Sequence, residues 1–280
     1  MKRLLTVMCG AALLLAAVPA RAQFPDKTPD TFRISVGAEY AWFNTNVSYT
    51  QYVAGVPVGS SINLENISGL PDSHVGPTLY GYWNFLGRSY IDFGFAYFDR
   101  SRTRTISRDI QFGDTTYTAG ASTNTSFKSS VPYVGYRYGF VKSDTFQLGL
   151  GLGVTYTWMK NEISASAGVV GPGGPVVGET VMKTATIAAW VPQIGLDIEG
   201  KIADNLTAGI RAVGAGAAIS PYKGWDIIGI AHFDYYFAPN FGVGLGYQYT
   251  RFSLKKSTST QVIDFDYRYD GPQAYITLTF

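Results

Sequence analysis

Between Phe146 and Met159 the chain alternates with a period of two. Phe146, Leu148, Leu150, Leu152, Val154, Tyr156 and Trp158 take one parity. Gln147, Gly149, Gly151, Gly153, Thr155, Thr157 and Met159 take the other. A helix would scatter the first set around its circumference, whereas a strand gathers it on one face. The same alternation runs through Phe32, Ile34, Val36, Ala38, Tyr40 and Trp42, and through Phe241, Val243, Leu245, Tyr247 and Tyr249. In a soluble sandwich or barrel the outer face is polar and the inner face apolar. Here a continuous apolar face alternates with Gly, Thr, Gln and charges, which is the pattern of a wall with lipid outside and a polar lumen inside. Lipid cannot hydrogen-bond an exposed strand edge, so such a sheet must close on itself. The fold class expected is all-β: a transmembrane, antiparallel, up-and-down β-barrel.

Ten strands are expected, near 31–44, 75–86, 88–105, 125–140, 145–160, 185–202, 205–218, 225–237, 240–254 and 265–280. Eight is the alternative, if two of them only extend above the membrane. Short connections at Gly87, Ser143, Asp204 and Pro239 alternate with long ones near 45–74, 106–124, 161–184, 219–224 and 255–264, as periplasmic turns alternate with external loops. Phe32, Phe85, Phe140, Phe146, Phe237, Phe241 and Phe280 fall at the turn ends. Trp42, Tyr97, Tyr156, Trp158, Trp225, Tyr247 and Tyr249 fall toward the loop ends. Two aromatic girdles follow.

Residues 1–22 read as an export signal: Lys2 and Arg3, an apolar run from Leu4 to Val18, and Ala20-Arg21-Ala22 as a small-x-small cleavage pattern. Residues 23–280 are then the barrel domain. Removing the signal takes away Cys9, so thiol catalysis and disulfides are excluded from the mature chain. It also removes Lys2, Arg3 and Arg21, which turns 22 basic against 20 acidic residues into 19 against 20. That balance offers nothing to nucleic acid.

Carrying each strand's phase inward predicts a lumen charge network of Arg33, Glu39, Asp92, Arg137, Asp197, Glu199, Arg211, His232 and Asp234. Opposite charges away from bulk water should pair. The expectation is a structural network that plugs the lumen; the alternative is a polar permeation path or a gate. Arg100, Arg102 and Arg104 form a basic row rising toward the outer mouth, read as a solvated strand extension or a contact for lipopolysaccharide phosphates. Two histidines and no mature cysteine leave no zinc or haem site to expect. The glycine-rich segment 168–178 lacks the Lys-Ser/Thr and the helix of a phosphate loop. No cofactor, metal site or catalytic residue is expected.

Several stretches resemble an uncharacterised family of bacterial outer-membrane β-barrels, of the small OmpA/OmpW-like type. They include Ser61-Ile62-Asn63-Leu64-Glu65, Gly69-Leu70-Pro71-Asp72-Ser73, Phe98-Asp99-Arg100-Ser101, Ile110-Gln111-Phe112-Gly113-Asp114, Gly242 to Tyr247, and Tyr267 to Gln273. The resemblance implies a barrel and brings no activity to transfer. Ten-stranded omptin proteases use an acid–His pair at the extracellular rim, whereas His232 falls well inside its strand. The expected protein is therefore a monomeric, non-enzymatic barrel of the bacterial outer membrane with a structural, binding or weak-permeation role. A narrow solute channel and a surface protease or lipid-modifying enzyme are the alternatives. Its partners would be outer-membrane lipid, lipopolysaccharide and the barrel-assembly machinery.

The chain ends Ala274-Tyr275-Ile276-Thr277-Leu278-Thr279-Phe280, an amphipathic strand closing on an aromatic residue. It resembles the assembly signal of outer-membrane barrels, with Phe280 as the terminal aromatic. Deleting Phe280 is expected to lower surface levels in cells while leaving the unfolding midpoint of already refolded barrel nearly unchanged. Quantitative immunoblotting of outer membranes checks this; normal levels of the truncated chain would count against it.

Overall fold

The computed structural model describes residues 31–280. The signal segment, and residues 23–30 of the expected barrel domain, lie outside them. The elements in order are β1 (Phe32–Val53), β2 (Val56–Asn63), a helical turn (Leu64–Ser68), β3 (Ser73–Leu86), β4 (Ser89–Thr105), β5 (Ile110–Phe112), β6 (Thr115–Tyr117), β7 (Ser122–Ser130), β8 (Tyr133–Lys142), β9 (Phe146–Ala165), β10 (Val169–Gly171), β11 (Gly174–Val176), β12 (Val181–Ala203), β13 (Leu206–Ile219), β14 (Tyr222–Ala238), β15 (Phe241–Ser257) and β16 (Gln261–Thr279).

The ring runs β12-β13-β14-β15-β16-β1-β3-β4, then β7 and β8, then β9, which pairs back to β12. All its pairs are antiparallel. β2 pairs only with β1, as an outlying hairpin arm. β7 and β8 share one position between β4 and β9. The ring therefore has ten positions. The interruption at Val131-Pro132 has a local cause, because proline has no N–H to give the ladder. The flanking groups are still used: Val131 N–H donates to Ala96 O at 3.0 Å, and Pro132 O accepts from Tyr156 N–H at 2.9 Å.

The strands run well past their expected outer ends, and the regions read as long loops are largely strand. β1 continues to Val53, β9 to Ala165, and β16 begins at Gln261. The cause is an inversion of the in–out pattern partway up the wall. On β1 the outward side chains are Ile34, Val36, Ala38, Tyr40 and Trp42, then Asn44, Asn46, Ser48 and Thr50. The inward ones are Arg33, Ser35 and Glu39, then Phe43, Val47 and Tyr49, all buried. β16 repeats it from its far end. Leu278, Ile276, Ala274 and Pro272 face outward below Asp270, Arg268, Asp266 and Asp264, while Thr277 and Gln273 face inward below Tyr269, Tyr267, Phe265 and Ile263.

The switch falls at the aromatic girdle. Tyr40 and Trp42 pack edge to face at 5.3 Å, and Tyr156 lies 4.8 Å from Trp190. Phe237 and Phe241, 6.1 Å apart, mark the opposite rim. With about 3.3 Å of rise per residue and a tilt of about 40°, the stretch from Phe32 to Trp42 climbs about 25 Å, the height of the apolar band of such barrels. Above that level the barrel stands in water and is filled like a soluble protein. Phe43, Phe98, Phe127, Met159, Phe252 and Phe265 are all buried there. A small sheet of β11-β10-β6-β5 adds Phe112, Tyr117 and Val169 to that core, with Phe112 against Tyr49 at 5.1 Å and Tyr117 Oη donating to Ile163 O at 2.7 Å.

The inversion predicts opposite tolerances along one strand. Leu152→Arg, on the lipid face of β9, should cost about 2–4 kcal/mol. Ser164→Arg, outward on the same strand but above the girdle, should change stability by less than about 0.5 kcal/mol. Urea unfolding in phospholipid vesicles measures both; equal costs would contradict the inversion.

Candidate functional site: the charged lumen

Inward side chains of the membrane-spanning half form two ion-pair groups. In the first, Arg137 of β8 donates from Nε to Asp92 Oδ2 at 3.0 Å, from Nη2 to Asp92 Oδ1 at 3.1 Å, and from Nη1 to Asp197 Oδ1 at 3.0 Å. Arg211 of β13 reaches the same Asp92 through Nη2 at 3.0 Å. Tyr90 lies 4.2 Å from the Arg137 guanidinium and Tyr133 lies 5.1 Å from that of Arg211, so both cations rest against aromatic rings. In the second group Arg33 holds Glu199 with two parallel bonds of 3.0 and 2.8 Å. Asp234 stands 3.7 Å from Arg33, takes Nδ1 of His232 at 3.0 Å, and accepts from Tyr275 Oη at 2.7 Å.

Glycine on the inner face makes room for these groups. A Cβ on Gly209 would run into the His232 ring, and one on Gly244 into Tyr275. The alternating Gly of the sequence thus seats the bulky lumen side chains of neighbouring strands.

The structure brings together eight of the nine residues expected in the network. The exception is Glu39. It is fully buried, and both its carboxylate oxygens lack a hydrogen-bond partner among the described residues. Counting from the periplasmic rim explains this. Arg33 is one residue into its strand, while Glu39 is six residues higher on the same face, above the other charges.

The basic row also differs from its expected setting. Arg100 is not solvated: it is buried, with Nη1 donating to Glu65 Oε1 at 2.7 Å and Pro71 O at 3.0 Å, and Nη2 to Thr45 Oγ1 at 2.7 Å. Its guanidinium lies 4.0 Å from the Phe43 ring centre. The reason is that β4 is already above the girdle at Arg100 and inside the aromatic core, where the charge must be paired. Arg102 and Arg104 are exposed.

Two lumen features escape a reading of single strands. Asp226 is buried on β14, in the same phase as His232 and Asp234, and accepts from Gln193 Nε2 at 2.5 Å. Its phase places it three alternation steps before His232, but its partner Gln193 lies on β12, which its own strand does not announce. Gln248 joins Tyr80, which donates to its Oε1, with Thr250 and Tyr269, which take its Nε2 protons at 2.9 and 3.0 Å. Nothing in the spacing announces that bridge, because its members lie on three separate strands.

The free space tapers from one end. A cleft of about 100 Å³ lies at the periplasmic turns beside Lys142, Asp144 and Asp204. It shares Arg33, Tyr82 and Glu199 with a cavity of about 80 Å³, which in turn shares Tyr80, Arg211 and Ile230 with one of about 50 Å³. The last is lined by Val213, Ile228 and Tyr269, beneath the aromatic core.

The chain is similar in structure to the outer membrane protease OmpT from Escherichia coli, with a TM-score of 0.53 and 14% identity over 93% of this chain and 99% of that one. Matches of lower score include the outer membrane protein OprG from Pseudomonas aeruginosa (TM-score 0.38, 10% identity, 88% of this chain and 96% of that one). Another is the P. putida toluene transporter TodX (TM-score 0.34, 9% identity, 90% and 91%). No protein-family model and no curated protein sequence matches the chain. By fold, then, the chain is an outer-membrane β-barrel.

Asp92 is shared by two arginines, so removing one of them should be costly. Arg137→Ala leaves Asp197 without its bonded partner and Asp92 with Arg211 alone, and is expected to destabilise by about 3–5 kcal/mol, less whatever water in the lumen returns. Asp197→Asn in the same background should recover part of that loss. Urea unfolding in vesicles of the single and double variants checks it; an Arg137→Ala midpoint equal to wild type would contradict the pairing.

Proposed function

We propose that this protein is a closed, non-catalytic barrel of the bacterial outer membrane, acting as a structural and binding element through the part that stands above the membrane. The observation that carries this reading is the filled outer half. Phe43, Phe98, Phe127, Phe265, Tyr267 and Tyr269 are each buried and linked by a chain of ring contacts across the lumen, with Phe98 to Tyr269 at 5.0 Å and Phe127 to Tyr267 at 5.1 Å. Arg100 and Glu65 pin the turn Leu64–Ser68 against that core, with Leu64 fully buried. A solute entering from the periplasmic side meets an apolar wall, not a second mouth.

This changes the role first given to the charge network. Those charges were expected to keep the barrel closed. With an aromatic core above them, opening the network alone leaves the lumen blocked. The channel alternative therefore loses its support. The protease alternative has the OmpT likeness behind it, but that likeness is one of fold. His232 is bonded to Asp234 deep in the membrane half, next to the periplasmic turn. A peptide at the outer rim cannot reach it. Lipid and lipopolysaccharide around the wall, the assembly machinery acting on the terminal strand, and a monomeric state complete the proposal.

In planar bilayers the refolded wild type should show no steady conductance, and Arg137→Ala should stay equally silent. Thinning the core with Phe43→Ala, Phe127→Ala and Tyr267→Ala together should produce open events. A steady wild-type conductance would overturn the closed reading.

A further inference from the structure

Among the described residues, Glu39 is the lumen acid whose two carboxylate oxygens both lack a hydrogen-bond partner. Its side chain is fully buried on β1, and neither oxygen meets a donor among the described residues. The inward arginines are committed elsewhere: Arg211 to Asp92, Arg33 to Glu199, and Arg100 to Glu65 and Thr45. Of the nearby phenols, Tyr80 donates to Gln248 and Tyr247 to Asp270, while Tyr269 accepts from Gln248 and makes no hydrogen bond to Glu39. A bare carboxylate held away from water is costly, so it must either take up a proton or be accompanied by a positive partner.

The same spot holds two more unanswered oxygens. Gln273 stands directly opposite Glu39 on β16, and Thr78 stands opposite Gly37 on β3, one inward step away. Both side chains are buried, and Gln273 Oε1 and Thr78 Oγ1 lack hydrogen-bond partners among the described residues. Directly opposed Cβ atoms in a sheet lie about 4.5–5.5 Å apart and diagonal neighbours about 7–8 Å, so Gln273 adjoins Glu39 and Thr78 lies within side-chain reach of it. Yet Glu39 makes no hydrogen bond to either. Oxygens that border one space without bonding one another suit a shared hard cation, which takes oxygen ligands.

We propose that Glu39 is the anionic ligand of a binding site for a small monovalent cation, completed by the Gln273 amide oxygen and the Thr78 hydroxyl. The charge of the ligand set selects the valence. One carboxylate and two neutral oxygens balance a single positive charge, whereas calcium sites draw on more carboxylates. The surroundings favour a cation of either kind. Arg33, Arg137, Arg211 and His232 face Glu39, Asp92, Asp197, Glu199, Asp226 and Asp234 in the lumen, an excess of acid. Access is from the periplasmic end, since Gln273 and Tyr80 line the cavity that continues from the outer cleft.

The test is the unfolding midpoint of refolded protein in sodium chloride against N-methyl-D-glucamine chloride at equal ionic strength. This holds screening constant and changes only the size of the cation. Wild type should be more stable in sodium, by about 1.4 kcal/mol for each tenfold rise above half-saturation. Glu39→Gln should show no difference between the salts, and in N-methyl-D-glucamine should match or exceed wild type. Thr78→Val should raise the half-saturating sodium concentration severalfold; it serves as the second variant if Glu39→Gln does not refold. Equal wild-type midpoints in the two salts would overturn the proposal. So would a sodium effect that survives Glu39→Gln, stabilisation by falling pH but not by sodium (a proton in place of the ion), or calcium acting at far lower concentration than sodium. None of these outcomes depends on whether the barrel conducts.

Discussion

Each long strand of this barrel passes from lipid into water, and a strand cannot choose its two faces independently of that change. The backbone answers by holding one register throughout, β1 with β16 from Arg33–Thr279 to Gln51–Gln261, with pairing skipped only at Tyr40 and Ala41, and β9 with β12 from Phe146–Gly200 to Ala165–Val181. The side chains answer by exchanging roles. Below the girdle the wall is apolar outside and carries Arg, Asp, Glu and Gly inside. Above it the wall carries Asn, Ser, Asp and Lys outside and closes around Phe, Tyr, Met and Ile. Hydrophobic burial therefore faces opposite ways in the two halves, and the lumen changes from a wet, charged vestibule to a dry core along the same row of Cβ atoms.

The consequences for charge follow from where each residue falls on that row. Asp92, Arg137, Asp197 and Arg211 lie low, where a tapering vestibule reaches them, and they form shared pairs. Arg100 lies high, inside the core, and is tolerated because its donors reach Glu65, Pro71 and Thr45. Glu39 lies at the boundary between the two regimes. That is where an unanswered charge has the most to gain from a bound ion.

Much of the lower half was legible in the sequence because each strand there carries its own signature. Phe146 to Trp158 needed no partner to be read as a lipid-facing strand, and eight inward charges were placed by parity alone. The upper half was harder for a physical reason. A reading that follows the apolar face outward ends β9 at Trp158, since Lys160 and Glu162 face out beyond it. The continuing strand announces itself only in the opposite parity, through Met159 and Ile163. Met159 stood in the polar row of the alternation and was the first sign of the exchange. Arg100 shows the same limit: its phase was right, but its surroundings come from Phe43 on β1 and Phe127 on β7, which only the closed ring brings together. Glu39 shared the phase of the network but not its height, and height depends on strand tilt.

The central claim is that the lipid-facing side of the wall ends at the girdle while the strands continue. It is tested most directly by spin-label accessibility along one strand in vesicles. Labels at Leu278, Ile276 and Ala274 should be reached by oxygen and not by a polar nickel complex. Labels at Arg268, Asp266 and Asp264, on the same outward face of β16, should show the reverse. Oxygen-type accessibility continuing through Asp264 would mean that lipid covers the whole wall, and that the aromatic filling is not the core of a water-exposed barrel.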